Sequence, residues 1–233
     1  MVDGNFENPL NGLALHDTAM TSIQLSLDRL ACMVEVEGSG GRLAKGERVV
    51  IACQDLHSFF ASFNFAEMQE NVWPGNVQDG RCDSAGILRV YLTGGMLEAG
   101  ATNVALCDAA CSEDENSLNA TSIVLLGYEA LCNVDFDFGF LQGLGISLAS
   151  STLTASVLMR VSDASSELVP AVLSFSRVRS CILRLDVTAM KDSVKFGNIR
   201  AFRVNVRSGI VWMYCREGFV EIVAEQVVLR KGS

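Results

Sequence analysis

The chain has 233 residues, 49% of them apolar, and its 18 basic against 27 acidic side chains leave a net charge of −9. That apolar fraction can fill a sizeable core and excludes a disordered chain, while the longest apolar runs, such as SIVLLGY around Leu125, fall short of the roughly 18 residues a membrane helix needs. No basic-then-apolar leader opens the chain, so the expectation is a soluble, non-secreted protein without membrane insertion.

In chain order, residues 1–20 are polar and turn-rich and are expected to form an extended arm. Ile23, Leu25 and Leu27 alternate with polar residues, as do Val34 and Val36 with Glu35 and Glu37, which predicts two strands closed by the GSGG turn at 38–41. Over 49–73 two patterns overlap. VVIAC suits a strand, but Leu56, Phe59, Phe60 and Phe63 fall at helical spacing before Pro74-Gly75, and a short helix on the end of a sandwich is expected there.

From Gly86 the strand pattern is clear. Leu88, Val90 and Leu92 share one face, then Val104 and Leu106 in ATNVALC, followed by an acidic loop at 112–119 that lacks the spacing of a calcium loop. The stretch NVDFDFGF, Asn133 to Phe140, alternates Phe with Asp and reads as a central aromatic strand. Leu153, Ala155, Val157, Met159 and Val161 form the next apolar face. Residues 170–187 read as one long strand kinked near Arg177–Arg179, or as two, and FRVNV, GIVWMYC and FVEIVAEQVVL supply three more. Ten to eleven strands with no internal repeat predict an all-β fold: a jelly-roll β-sandwich with additional C-terminal strands and one or two short helices. The organisation expected is an arm at 1–20, the sandwich at 21–186, and strands 187–233 packed on the same domain.

Charge is unevenly distributed along the chain. Residues 1–169 carry 7 Lys+Arg against 22 Asp+Glu, whereas residues 170–233 carry 11 against 5. The basic set Arg177, Arg179, Arg184, Lys191, Lys195, Arg200, Arg203 and Arg207 is the candidate site. It either meets a phosphate backbone, pairs with the acidic part of this or a neighbouring subunit, or is a solvated strand face.

Sites of chemistry are sparse. There is no G-x-S-x-G, H-E-x-x-H, Walker or dinucleotide-binding motif. His57 with Asp55 and Cys53 nearby lacks an oriented third group and reads as a structural histidine. Asp135 and Asp137, two apart, are read as the solvent face of their strand. Eight cysteines are scattered, mostly beside apolar residues, as free buried thiols are, and neither Cys107 with Cys111 nor Cys53 with His57 has a second pair at a metal-ligand spacing. Asn119-Ala120-Thr121 fits a glycosylation acceptor, without meaning outside the secretory pathway. The expectation is a non-enzyme with no cofactor and no metal.

Three blocks, VVIACQDLHS at 49–58, SAGILRVYLTGG followed by ATNVALCDA, and LCNVDFDFGF followed by LTASVLMRV, resemble the jelly-roll coat proteins of picorna-like plant viruses of the comovirus and nepovirus type. The resemblance implies a capsid subunit that self-assembles with copies of itself and with other coat subunits around viral RNA, bound without sequence specificity, in the virion and the host-cell cytoplasm. VYLTGG, VALCDAAC and VPAVLSFSRVRSCILR also resemble the 30K cell-to-cell movement proteins, which bind single-stranded RNA; there the matching aspartate is Asp108, while position 110, where that family has a basic residue, is Ala. A carbohydrate-binding or carbohydrate-active jelly roll rests on fold analogy alone.

Overall fold

The computed structural model describes residue 10 and residues 15–41, 43–71, 75–108, 123–160, 167–191 and 198–232. The strands are β1 (Thr18–Ser26), β2 (Ala31–Gly38), β3 (Arg48–Asn64), β4 (Val77–Cys82), β5 (Ile87–Leu92), β6 (Gly95–Asp108), β7 (Ile123–Leu126), β8 (Phe140–Ser147), β9 (Thr152–Arg160), β10 (Leu168–Asp186), β11 (Ile199–Asn205), β12 (Ile210–Cys215) and β13 (Gly218–Lys231). Three short helices, α1 (Phe65–Gln69), α2 (Tyr128–Leu131) and α3 (Val187–Lys191), and a 3-10 turn at Leu15–Asp17 complete it. The protein is all-β and sandwich-like, and no described helix is long and apolar enough to cross a membrane.

All strand pairings are antiparallel and join one sheet in the order β11-β12-β13-β10-β9-β8-β1-β2-β3-β6-β5-β4, with β7 on β13. A further pairing between β3 and β10 turns that order into a closed ring of β3, β2, β1, β8, β9 and β10. The ring is possible because both long strands change partner halfway. The first half of β3 pairs β2 and its second half pairs β10; the first half of β10 pairs β9 and its second half pairs β3. One layer is therefore β2-β1-β8-β9, and the other runs through eight strands, β4-β5-β6-β3-β10-β13-β12-β11. Alternation turns Ile23, Leu25, Leu144 and Ile146 from the first layer, and Phe59, Phe63, Cys181 and Leu183 from the second, into the buried core.

The fold is a duplication, which corrects the expectation of no internal repeat. Adding 121 to residue numbers in β1 and β2, 122 in β3, α1 and β4, and 123 in β5 and β6 converts each register of the first half into that of the second. The match includes every irregularity. Register slips at Met20/Ser22, Leu56/Ser58 and Val77/Asp79 recur at Leu141/Gly143, Val178/Ser180 and Ile199/Ala201. The left-handed residues Leu30 (φ 50°) and Asp55 (φ 52°) recur as Ser151 (φ 49°) and Arg177 (φ 51°). Gly86 and Gly209 recur too, each where an added Cβ would lie 2.1 or 2.3 Å from the carbonyl oxygen of Ala101 or Ala224. Asn64 caps α1 by accepting from Glu67 N (3.3 Å), as Asp186 does for α3 from Ala189 N (2.9 Å). The pseudo-two-fold axis passes through the paired mates Gln24 and Gly145 in one layer and Ala61 and Leu183 in the other. Only sixteen of the 74 positions aligned by these offsets, over 18–38, 48–69, 76–83 and 86–108, are identical, so the repeat is nearly invisible as sequence.

Two local expectations are overturned. The helical spacing of Leu56, Phe59 and Phe63 arises inside β3: the bulge after Asp55 inserts an extra residue, so that Leu56, Phe59, Ala61 and Phe63 all face inward from a strand, and only Phe65–Gln69 is helical. NVDFDFGF is not a strand either. Asp135 Oδ1 accepts from Asp137 N at 2.8 Å, and Phe138 is left-handed (φ 65°), so the segment turns and strand structure begins at Phe140. Its buried member, Phe136, packs on Phe202 with ring centroids 4.3 Å apart; in the first repeat the mate Leu15 packs against Gly80. Residues 170–186 are one strand, bulged at Arg177–Arg179. A boundary at 186/187 falls inside the second repeat, between β10 and α3.

The halves differ at one buried polar link. Met20 N donates to Gly75 O (2.8 Å), but its mate Leu141 donates to Asn198 Oδ1 (2.7 Å) while Asn198 Nδ2 donates back to Leu141 O (3.0 Å). Asn198→Leu strands two buried backbone groups and is expected to lower stability by about 2–4 kcal/mol, measured by denaturant unfolding; a loss under about 0.5 kcal/mol refutes the role. Because Asp55 and Arg177 hold the same left-handed position, a β-branched residue is costly at both. Asp55→Val and Arg177→Val should each lower stability by about 1–2 kcal/mol in the same assay, and a cost at one site only counts against the equivalence.

Candidate interaction face

The outer side of the eight-strand layer is where solvent-facing chemistry collects. Cross-strand pairing lines up two central rows running across the strands. The first carries Tyr91, Met96, Ser62, Ile182, Glu221 and Trp212, and ends at Asp79 on β4 and Arg203 on β11. The second carries Arg89, Glu98, Phe60, Arg184, Phe219 and Tyr214, and ends at Arg81 and Ala201. The pseudo-two-fold exchanges the rows, Tyr91 with Tyr214, Glu98 with Glu221 and Met96 with Phe219. Phe60, Ile182, Met96, Phe219, Tyr91 and Trp212 are half-buried, and Tyr214 is 44% exposed. A shallow depression beside α1 is lined by Phe60, Tyr91, Met96, Arg179 and Ile182.

Hydrogen bonds hold the polar members of this face. Arg89 donates to Glu98 (2.8 Å) and to Asp83 (2.9 Å); at the mate of Arg89, Trp212 Nε1 donates to Glu221 (2.6 Å). The Ile87 N–H, then the Arg89 guanidinium, lower the Asp83 pKa below its usual range. Arg184, near the axis, has no carboxylate partner among the described residues. The opposite layer presents a different surface, a polar groove with Ser22, Gln24, Ser26, Ser156 and the bare backbone of Gly143 and Gly145.

The basic set does not form one patch. Arg179, the bulged residue of β10, and Arg177, two residues before it, both bind Glu225, at 3.0 and 3.2 Å, which lowers that carboxyl's pKa. Arg184 lies mid-face, and Arg200, Arg203 and Arg207 sit on or just beyond β11, with Arg203 donating to Phe202 O. Lys191 ends α3, and Lys195 lies outside the described residues. Asp108 ends β6 with its backbone paired to Val49, and its side chain, like Ala110, Cys111, the 112–119 loop and Asn119, is outside them.

The remaining candidates do not converge. His57, the bulged residue, lies on the outer face over Gly100, while Cys53 points into the core, where burial pushes its thiol up to about 12. Asp135 closes its own turn and Asp137 accepts from Phe202 N (3.2 Å). Among the described residues no three His, Cys, Asp or Glu side chains form a metal-like group. In GIVWMYC the two-residue spacing of Trp212 and Tyr214 puts them on one strand face, as core or interface aromatics; the other aromatic and Met members of the face are not singled out by the sequence. Their alternation was legible, but nothing local says which side of a strand is core when both sides are partly apolar. Compared with family models, curated proteins and solved structures, the chain matches none.

Cys32, Cys53, Cys181 and Cys215 are buried and unbonded, with pKa values raised chiefly by burial, whereas Cys107 is half-exposed and Cys132 exposed. Ellman's reagent at pH 8 should leave those four untouched in the native protein and titrate them after denaturation, mapped by peptide mass spectrometry; labelling of any of the four before unfolding contradicts their placement.

Proposed function

We propose that this chain is a structural subunit that works by self-association, of the jelly-roll coat-protein kind its sequence resembles. The observation that supports it is the eight-strand outer face. Aromatic, Met and Arg side chains rich in contact area cross it in two rows, a composition typical of protein interfaces. The face is shallow and carries no converging nucleophile and base, which suits a partner surface better than a small substrate. In a shell around RNA, the cations available for phosphate are Arg200 and Arg207 by the β11 edge and the one positive charge left where Arg177 and Arg179 share the carboxylate of Glu225.

Light scattering of the purified chain at near-physiological salt, with and without single-stranded RNA, tests this. Discrete oligomers forming at micromolar concentration are expected. A monomer at every concentration that binds RNA with steep salt dependence overturns the reading in favour of the movement-protein alternative, and a monomer indifferent to RNA overturns it outright.

A further inference from the structure

Comparing the two halves with each other identifies which surface side chains both copies have kept. Of the sixteen identical mates, seven are at least partly solvent-exposed in both halves. Two of these have separate places: Ser26/Ser147 precedes the hairpin turns, and Gly95/Gly218 sits where any side chain would strike backbone. The other five, Ser58/Ser180, Arg81/Arg203, Ile87/Ile210, Tyr91/Tyr214 and Glu98/Glu221, all lie on the outer face of the eight-strand layer. The polar face of the opposite layer has diverged more, keeping Ser26/Ser147 while the mates of Ser22, Gln24 and Glu35 are Gly143, Gly145 and Ser156. Folding explains the retained glycines and core residues and, through the bonds that Glu98 and Glu221 accept from Arg89 and Trp212, the retained glutamates, but not a solvent-facing Tyr and Arg kept twice.

We propose that this face is a two-fold symmetric dimer interface whose occupant is the same face of a second copy. The proposal deepens the self-association reading and rests on it. Three features favour a second copy. The face carries two equivalent half-sites, so a partner that fills both must present two as well, and this chain does. Its size is adequate: eight strands about 4.8 Å apart, crossed by the two full rows and flanked by two partial ones, Ile87–Gly100–Ser58 and Ser180–Val223–Ile210, with rows about 6.8 Å apart, span about 700 Å², close to the roughly 800 Å² per partner of a standard stable interface. Its ends are complementary. A two-fold axis along the strands lays each row on itself in reverse, bringing Asp79 toward Arg203 of the second copy and Tyr91 toward that copy's Trp212, an opposite charge and an aromatic pair.

Sedimentation equilibrium on the full chain decides the matter. The unaltered protein should dimerise, and the double variant Phe219→Glu/Tyr214→Glu should weaken the dimer at least about 100-fold, with circular dichroism and melting confirming that it still folds. Ser156→Glu, on the opposite layer, should change nothing. Asp79→Arg should weaken the dimer about tenfold, and adding Arg203→Asp should restore it; a double charge variant as weak as the single one overturns the two-fold arrangement. An oligomer that survives Phe219→Glu/Tyr214→Glu overturns the face while leaving self-association standing, whereas an unaltered chain that stays monomeric overturns both.

Discussion

The pairing of β3 with β10 is the constraint on which the rest of the structure depends. Over Ser58–Asn64 and Ser180–Asp186 the two longest strands meet antiparallel, each having given up its previous neighbour. Without that contact the thirteen strands form an open ribbon with an exposed apolar side; with it, six strands close into a ring and bury Phe59, Phe63, Cys181 and Leu183 against β1 and β8. The bulges at His57 and Arg179 sit at the partner changes. An extra residue there increases local twist and lets one strand serve two neighbours on the same edge.

Duplication explains why such irregularities come in pairs. A bulge or a left-handed residue is locally unfavourable and persists only where surrounding structure demands it; the same demand acts at both mates because both halves occupy the same role in the ring. The details have then been solved differently. A carbonyl at Gly75 in the first half is replaced by the Asn198 amide in the second, and Leu15 over Gly80 by Phe136 over Phe202, a pair in which both members are larger. The connector that carries α2 is bound to the second repeat by Tyr128, whose hydroxyl donates to Ala224 O at 2.6 Å and whose burial raises its pKa to about 12.

The outer face mixes charges of both signs, Asp79, Glu98 and Glu221 with Arg81, Arg89, Arg184 and Arg203. Arg89 is held by Glu98 and Asp83, and Arg177 and Arg179 share the single carboxylate of Glu225, while Arg184 has no carboxylate partner among the described residues. What remains is half-buried aromatic area arranged symmetrically, and such area confers affinity when a complementary surface excludes water from it. Of the basic residues after position 170, Arg177 and Arg179 share Glu225, and Arg200, Arg203 and Arg207 lie on or just beyond β11.

By itself the sequence determined that this is an all-β protein. It also located the alternating faces of β1, β2, β5 and β9 and the kink in β10, because period-two alternation and β-branched content are local properties of a strand with one buried side. It misled where local pattern and tertiary role diverge: the bulge in β3 imitated helical spacing, and the Phe-Asp alternation of 133–140 turned out to be a turn around one buried ring. The closed ring, the two-fold repeat and the composition of the outer face were decided only by tertiary structure. Each depends on which strand lies beside which across more than a hundred residues, and the duplicated halves keep their registers while exchanging most of their side chains, since backbone pairing constrains geometry far more tightly than it constrains residue identity.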